Sequence, residues 1–568
     1  MSHQKAFPAD PKAADAPYHH PTPWDQPIAR TTLTALFARA VEQGGERPLA
    51  EFMGARYSYA QLHEEAQRFA AGLRSAGVAQ GDRVGLFLPN VPVYIAAYYG
   101  AMMAGAVVVN FSPLYTVEEL AAQVENSGTR LLVTLDVAAL LPTAVKVLDA
   151  SALETLVVAR LAEALPSVKG WMLQTFGRKR LAPVPQRADV QHWAGFLGRA
   201  ADAPDGDVSP DTLALLQYTG GTTGRPKGAM LTHANLAANA LQVDAIDPSS
   251  RAERDIIVGG LPMFHVFANT CVLNRTVVRG GTIVLLARFT AAEALKAITE
   301  HRATAFPGVP TMYQALLDHP RCRKTDFSSL KICVSGGAPL SDKLAESFEE
   351  CSGVRLVEGY GLTESSGVIS ANPYQGMRKP GTIGQLLPQT RAILLDKEDP
   401  GKLAAEGEPG ELALAGPQIM QGYWNRPDSR EHTFARHFDQ DWLRTGDVAV
   451  IDEDGFLAIV DRIKDMIAVG GFKVFPSQIE DVLLRHPAVK EALVIGVPDP
   501  YHGEMPRAYV SLMDGHATAR EAELTEWLNG QVGKHERVQG VVIRDELPKT
   551  LIGKLDRKAL RAELGQQA

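Results

Sequence analysis

The run from Tyr94 to Val109 carries no charged residue and has to be buried, which constrains the fold more than any other stretch. It is shorter than the ~20 apolar residues a membrane-spanning helix needs, and Gly100 and Gly105 interrupt it. The residue types predict a buried helix, Val93 to Ala104, running straight into a buried strand, Ala106 to Asn110, whose Val107, Val108 and Val109 are β-branched. The flanking chain repeats the alternation. Strands are expected at Arg83–Leu88 and Leu131–Leu135, with a helix from Thr116 to Ser127 between them. This is the rhythm of a parallel sheet covered on both faces. Further on, a strand at Lys331–Val334 should end in Ser335-Gly336-Gly337-Ala338. Another at Arg355–Val357 should end in Glu358-Gly359-Tyr360-Gly361-Leu362-Thr363-Glu364. The carboxyl ends of parallel strands are where such sheets bind ligands, and glycine there leaves room.

At 568 residues the chain exceeds what one core supports, so at least two domains are expected. After Pro380, short strands at Arg391–Leu395, Gly410–Ala415, Ala449–Ile451 and Leu457–Val460 alternate with turns, as in a small β-subdomain. The expected class is α/β: a large N-terminal domain of layered α/β subdomains plus this β-subdomain, residues 31–461, followed by a smaller α+β C-terminal domain, residues 462–568. Residues 1–30 are Pro- and Ala-rich, aperiodic and without a signal peptide's apolar core. They are expected to be a disordered tail on a cytoplasmic protein. Residues 138–206 break the rhythm with Pro142, Pro166, Pro183 and Pro185. They also carry Arg178-Lys179-Arg180 near Trp171, Met172, Leu173 and Phe176. We read them as an exposed insertion, with a membrane surface as the alternative. The net charge of −8 gives no electrostatic reason to expect nucleic acid. Four cysteines show no metal spacing and are expected to be reduced and structural.

An uncharged run from Leu213 leads into Thr219-Gly220-Gly221-Thr222-Thr223-Gly224-Arg225-Pro226-Lys227-Gly228. Glycines let backbone N–H groups approach a ligand, and the hydroxyls and the lysine add donors, a set that suits a polyphosphate. This is not the P-loop, because Lys227 lies between Pro226 and Gly228. Nor is it the Gly-x-Gly-x-x-Gly dinucleotide fingerprint. A helix capped by Thr232 is expected to follow, its N-terminus adding positive potential for phosphate.

Taken in order, Tyr218–Gly228, Leu261–Phe267, Glu358–Glu364, Trp442–Asp447, Asp461–Lys473 and Leu547–Lys554 resemble the motifs of the adenylate-forming superfamily of acyl-CoA synthetases, luciferases and peptide-synthetase adenylation domains. The resemblance runs from about Thr31 to Glu563. Within the superfamily the chain is most similar to bacterial long-chain fatty acyl-CoA synthetases, on Tyr218–His233, Gly367–Tyr374, Asp461–Glu480 and Arg544–Arg557.

The resemblance implies that ATP and a long-chain fatty acid give an acyl adenylate, from which coenzyme A displaces AMP. It implies Mg²⁺ on the phosphates, held by Glu364 and Thr219, and a cradle of Gly220, Gly221, Thr222, Thr223, Gly224 and Lys227. Gly336, Gly337 and Ala338 would line adenine, with Glu358, Gly359, Tyr360 and Gly361 beside it, Tyr360 stacking. Thr363 would lie near the α-phosphate, and Asp447 and Arg462 on the ribose. Lys554 would bridge the carboxylate and the α-phosphate from a mobile C-terminal domain that hinges at Lys464. His265 and Phe264 would gate the thiol, and Gly471 and Lys473 would meet pantetheine. Val266, Phe267, Val309, Met312 and Tyr313 are the candidate acyl walls. The same chemistry on a medium-chain or aryl acid is the alternative, and a non-catalytic nucleotide- or acyl-binding protein a third reading. Peripheral membrane association and a homodimer stay open.

Overall fold

The computed structural model describes residues 17–198, 208–219, 226–469, 472–513, 515–516, 519–549 and 555–565. They fall into two compact units, one built from Pro17–Thr390 and Ala415–Glu431, the other from Arg391–Leu414 and the chain from His432 onward.

The first unit holds two large sheets. One has seven strands in the order Val190–His192, Thr155–Ala159, Thr129–Leu135, Arg83–Leu86, Val107–Asn110, Leu213–Thr219 and Lys227–Thr232. All pairs in it are parallel except the last. The other has nine, and its run from Leu356–Tyr360 through Ile332–Ser335, Ala305–Gly308, Ile256–Gly259 and Thr282–Leu285 to Pro48–Phe52 is parallel throughout. The uncharged run behaves as its composition dictates. Every residue of the helix Pro92–Met103 is buried, with Pro92 set in the first turn where its missing N–H costs nothing, and Val107–Asn110 is a buried strand. Among the described residues no helix is long and apolar enough to cross a membrane.

Three expectations are corrected. The segment 138–206 is no mere insertion, because Thr155–Ala159 and Val190–His192 extend the parallel sheet by two strands. Pro166, Pro183 and Pro185 lie between these two strands and Pro142 opens the helix Leu141–Ala150 before them, and together they hid a short Leu156-Val157-Val158 core. The glycine stretch does not lead into a helix. It joins two antiparallel strands, Leu213–Thr219 and Lys227–Thr232. The helix His233–Ala245 is capped by Thr232 as expected, through Oγ1 and the Asn235 N–H. However, it starts at the far end of the hairpin, where His233 N–H donates to the Thr212 carbonyl. Six strand residues, ~20 Å, separate that N-terminus from the glycine stretch, too far for its dipole to act there. Pro17 to Asp25, expected as loose tail, are held in place. Tyr18 donates to the Leu386 carbonyl at 2.8 Å and Trp24 to the Thr390 carbonyl at 2.8 Å. The rest of that tail lies outside the described residues.

His233 is fully buried with no hydrogen-bond partner on either ring nitrogen among the described residues, and burial pushes its pKa down to about 4. A lowered histidine contributes stability above its unfolded value of 6.5 and loses it as pH falls toward the folded value. Acidification from pH 6.5 to 4 should therefore cost roughly 3 kcal/mol at this site. In thermal melts across that window wild type should lose more melting temperature than His233→Leu as pH falls; an equal loss would exclude it.

In the second unit, Gly410–Ala415, Gln440–Ile451, Phe434–His437 and Leu457–Arg462 form an antiparallel β-sheet with Arg391–Leu395 at its edge. A further sheet pairs Val489–Asp499 with Gly503–Leu512, and adds Ile467–Val469, Phe472–Val474 and Val541–Ile543. Its core takes Ile479 and Leu483 from the helix Pro476–Leu484, and Leu524 and Leu528 from Glu521–Asn529.

Candidate active site

In the first unit the predicted groups gather at the carboxyl ends of the parallel strands. Thr219 ends its strand, and among the described residues its hydroxyl makes only a long contact, 3.5 Å, to the Lys227 carbonyl. Gly220, Gly221, Thr222, Thr223 and Gly224 lie outside the described residues. Beyond them, the segment Gln421–Trp424 adds itself to the edge of Lys227–Thr232. Met230 N–H donates to the Gly422 carbonyl and Trp424 N–H to the Gly228 carbonyl. This places Tyr423 between two predicted residues. Its hydroxyl donates to Glu364 Oε1 at 2.6 Å, and Lys227 Nζ sits 5.0 Å over its ring. Burial, then the Glu364 charge, pushes the Tyr423 phenol well above its ordinary range, so it stays a donor.

Glu364 lies in the short helical turn Thr363–Ser365, which packs against both strands of the hairpin. Two bonds fix this turn: Met420 N–H to the Glu364 carbonyl at 2.8 Å, and Thr270 Oγ1 to the Ser366 carbonyl at 2.6 Å. Thr270 comes from Asn269–Asn274, wound as a π-helix, an irregularity frequent at functional sites.

Gly336 follows its strand and donates to the Gly308 carbonyl; a Cβ there would stand 2.9 Å from the Phe267 ring and 3.2 Å from the Gly359 carbonyl. Gly337 has φ +80°, open to glycine. Ala338 follows it. Glu358, Gly359 and Tyr360 are partly exposed at the end of Leu356–Tyr360, whose pairing switches to antiparallel with Ser370–Ala371. At Gly361 a Cβ would fall 2.0 Å from the Gly367 carbonyl, so no other residue fits without backbone movement. Gly361→Ala should cost about 1–3 kcal/mol by overpacking. A fall in melting temperature would register it, and an unchanged melt would show that this turn is not held as described.

The Leu261–Phe267 segment is set by buried amides that sequence reasoning missed. Asn90 Nδ2 donates to the Gly259 and Leu261 carbonyls, and Asn90 Oδ1 accepts from Met263 N–H. Asn110, Gln217, Asn269 and Tyr94 bond to one another and to the Met263 and Phe264 carbonyls. The signal was there: polar residues ending or interrupting apolar strands need partners when buried. Phe264 and His265 are half-buried, and His265 Nδ1 caps the next turn by accepting from Phe267 N–H. Val266 is buried, Phe267 and Met312 half-buried, and Val309 7% exposed. Tyr313 belongs to the core. It has no accessible surface, and its hydroxyl is spent on the Phe306 and Val334 carbonyls. It props the strand ends from beneath and offers no face to an acyl chain.

The second unit holds Asp447 and Arg462 as cross-strand neighbours, with Arg462 Nε 3.0 Å from Asp447 Oδ1. Asp447 is buried, and its turn is fixed by Glu411, another residue not foreseen. Glu411 takes the Arg444 guanidinium at 2.8 Å and the Gly446 N–H at 3.2 Å. Lys464 is exposed in the turn Ile463–Asp465. Gly471 and Lys554 lie outside the described residues, as does the Lys473 side chain.

Residues 37–424 match the AMP-binding enzyme family, and residues 478–554 match the AMP-binding enzyme C-terminal domain. The chain belongs to the AMP-binding enzyme family. Its fold is that of the family's adenylate-forming enzymes, a large N-terminal α/β domain with a small C-terminal domain. Within the family it is 37% identical to a long-chain-fatty-acid–CoA ligase of Bacillus subtilis, over 96% of this chain and 97% of that one. It is 36% identical to a feruloyl-CoA synthase of an Amycolatopsis species, over 90% and 95%. The crystal structure of ATP-bound MatB from Rhodopseudomonas palustris superposes with a TM-score of 0.81 at 30% identity, covering 94% of this chain and 99% of that one.

A family member of this kind handles ATP with Mg²⁺, and the residues present fit that ion. Glu364 and Thr219 are hard oxygen donors beside the glycine stretch. Among the described residues no cluster of three or more acidic, His or Cys side chains could hold a metal alone. Mg²⁺ commonly takes one or two protein oxygens and completes its shell with phosphate and water.

Proposed function

We propose that this enzyme converts a long-chain fatty acid to its coenzyme A thioester through an acyl adenylate. In the first half a carboxylate oxygen attacks the α-phosphorus of ATP, the bond to the bridging oxygen breaks, and pyrophosphate leaves with the electron pair. In the second half the coenzyme A thiolate attacks the acyl carbonyl carbon, the bond to the adenylate oxygen breaks, and AMP leaves. The thiol proton goes to solvent.

The observation that carries the reading is the trio Glu364–Tyr423–Lys227 beside the glycine stretch, an anion and a cation held on either side of one phenol. Attack of a carboxylate on a triphosphate brings like charges together, so cations must neutralise both. Mg²⁺, when bound, supplies part of that neutralisation. Lys227 supplies charge toward the outer phosphates, and Glu364 and Thr219 supply oxygens toward the ion. Tyr423 fixes the carboxylate's orientation. We assign Asp447, with Arg462, to the two ribose hydroxyls, which a carboxylate's two oxygens suit. Lys554 is assigned to the carboxylate and α-phosphate, with Lys464 as the pivot between the two halves.

Long-chain preference is supported by the Bacillus relative's name and by the half-buried Phe267 and Met312 among the candidate walls. Each methylene buried there would add about 0.8 kcal/mol. The feruloyl relative favours a second reading, an aryl acid. AMP release measured over saturated acids of increasing length, and over ferulate and benzoate, separates them. The proposal expects kcat/KM to rise with chain length; a maximum on ferulate would replace it with the second reading.

A further inference from the structure

The helix Ser167–Phe176 is built inside out. Apolar side chains at Val168, Trp171, Met172 and Phe176 recur at the i, i+3, i+4, i+8 spacing of a core-facing stripe. Yet they are among the most exposed large hydrophobics of the described residues, with Trp171 at 59% and Phe176 at 79%. The opposite face is the one that packs. Gly170 is buried so closely that a Cβ would lie 2.5 Å from the Ala162 carbonyl. The helix is therefore held with its apolar stripe outward. Trp171 and Phe176 meet edge to face at 5.9 Å, which presents them as one rigid pair. At the other end, Lys169 Nζ donates to the Met53 carbonyl, so exposed Met53 extends the patch from the neighbouring hairpin.

Charge singles out the same place. The chain carries a net −8, but between Ala164 and Ala188 it contains no Asp or Glu and five cations. Arg187 is taken up by Asp149 and Asp189. Arg178, Lys179 and Arg180 are all exposed and directly follow the apolar stripe, and among the described residues no carboxylate pairs with them. The strand-like bridge Val137–Leu181 ties down the segment's end, so the basic turn is fixed beside the aromatic pair.

We propose that this face docks on an anionic lipid bilayer, with Val168, Trp171, Met172 and Phe176 entering the boundary between headgroups and acyl chains and Arg178–Arg180 meeting the headgroup phosphates. A rigid aromatic and aliphatic stripe flanked by cations is the chemistry of interfacial helices, whose binding adds apolar burial to electrostatic attraction. The patch is independent of the catalytic assignment, since none of its residues belongs to the candidate site.

The test is co-sedimentation of the full-length protein with phosphatidylcholine vesicles, with and without phosphatidylglycerol, at low and high salt. Binding is expected to the phosphatidylglycerol vesicles and to weaken with salt. The charge-reversal variant Arg178→Glu/Lys179→Glu/Arg180→Glu should lose on the order of a hundredfold in partitioning. Trp171→Ser/Phe176→Ser should lose a similar factor, with melting temperature and AMP release on a short soluble acid unchanged, because both side chains are solvent-facing. No binding to anionic vesicles at low salt, or binding undiminished in both variants, overturns the proposal. So would capture of an acidic soluble polypeptide by the patch without vesicle binding.

Discussion

Lys554→Ala lowers ATP–pyrophosphate exchange with a fatty acid by about a hundredfold or more, while thioester formation from a supplied acyl adenylate proceeds near the wild-type rate. The magnitude is that of removing one charge aimed at the transition state of a step in which two anions meet. The asymmetry carries the argument. Lys554 is assigned to the first half only, so the adenylate, once made elsewhere, no longer needs it. Measuring both half-reactions on one preparation also separates a catalytic loss from a folding loss, because a misfolded enzyme fails at both. Undiminished exchange would remove Lys554 from the chemistry, and equal loss in both halves would make its role structural.

Glu364→Gln lowers adenylate formation by about a hundredfold to a thousandfold. Glutamine keeps an acceptor for the Tyr423 hydroxyl, which now lies 2.6 Å from Glu364 Oε1, so the turn is retained and the charge alone is removed. Tyr423→Phe does the converse. It leaves the charge and removes the bond that orients it, and should cost about tenfold to a hundredfold, the usual worth of a hydrogen bond to an ionised group. Raising Mg²⁺ should recover part of the loss in Tyr423→Phe and little in Glu364→Gln. If Glu364→Gln were no worse than Tyr423→Phe, the carboxylate would serve only to hold the turn.

The sequence made the layered sheets legible where burial was complete, as in Pro92–Met103 and Val107–Asn110, because unbroken apolar runs leave few alternatives. It misled at Thr155–Ala159 and Val190–His192, where prolines and cations in the connections outweighed a short apolar core. It also gave no sign of the strand Lys227–Thr232 between the glycine stretch and the Thr232-capped helix, because a short strand is recognised only by its pairing. For the site, residues whose chemistry is visible in their own type, such as Glu364, Lys227 and Asp447, could be singled out from motifs. Residues that act through position could not. Tyr423 matters because its segment pairs with the Lys227–Thr232 strand, and Asn110 because Gln217 and Asn269 lie across from it. Those relations are created by pairing between distant segments, and composition does not encode them. Tyr313 shows the reverse case, an aromatic in the expected neighbourhood whose hydroxyl and ring are consumed by the core.

The central claim is that ATP, a fatty acid and coenzyme A are joined through an adenylate by this chain. Product stoichiometry tests it most directly. Purified enzyme incubated with ATP, Mg²⁺, coenzyme A and a long-chain acid should release AMP, pyrophosphate and acyl-CoA in equal amounts, and omitting coenzyme A should leave the acyl adenylate bound. Appearance of ADP and phosphate in place of AMP and pyrophosphate, or AMP formed with no thioester, would contradict it.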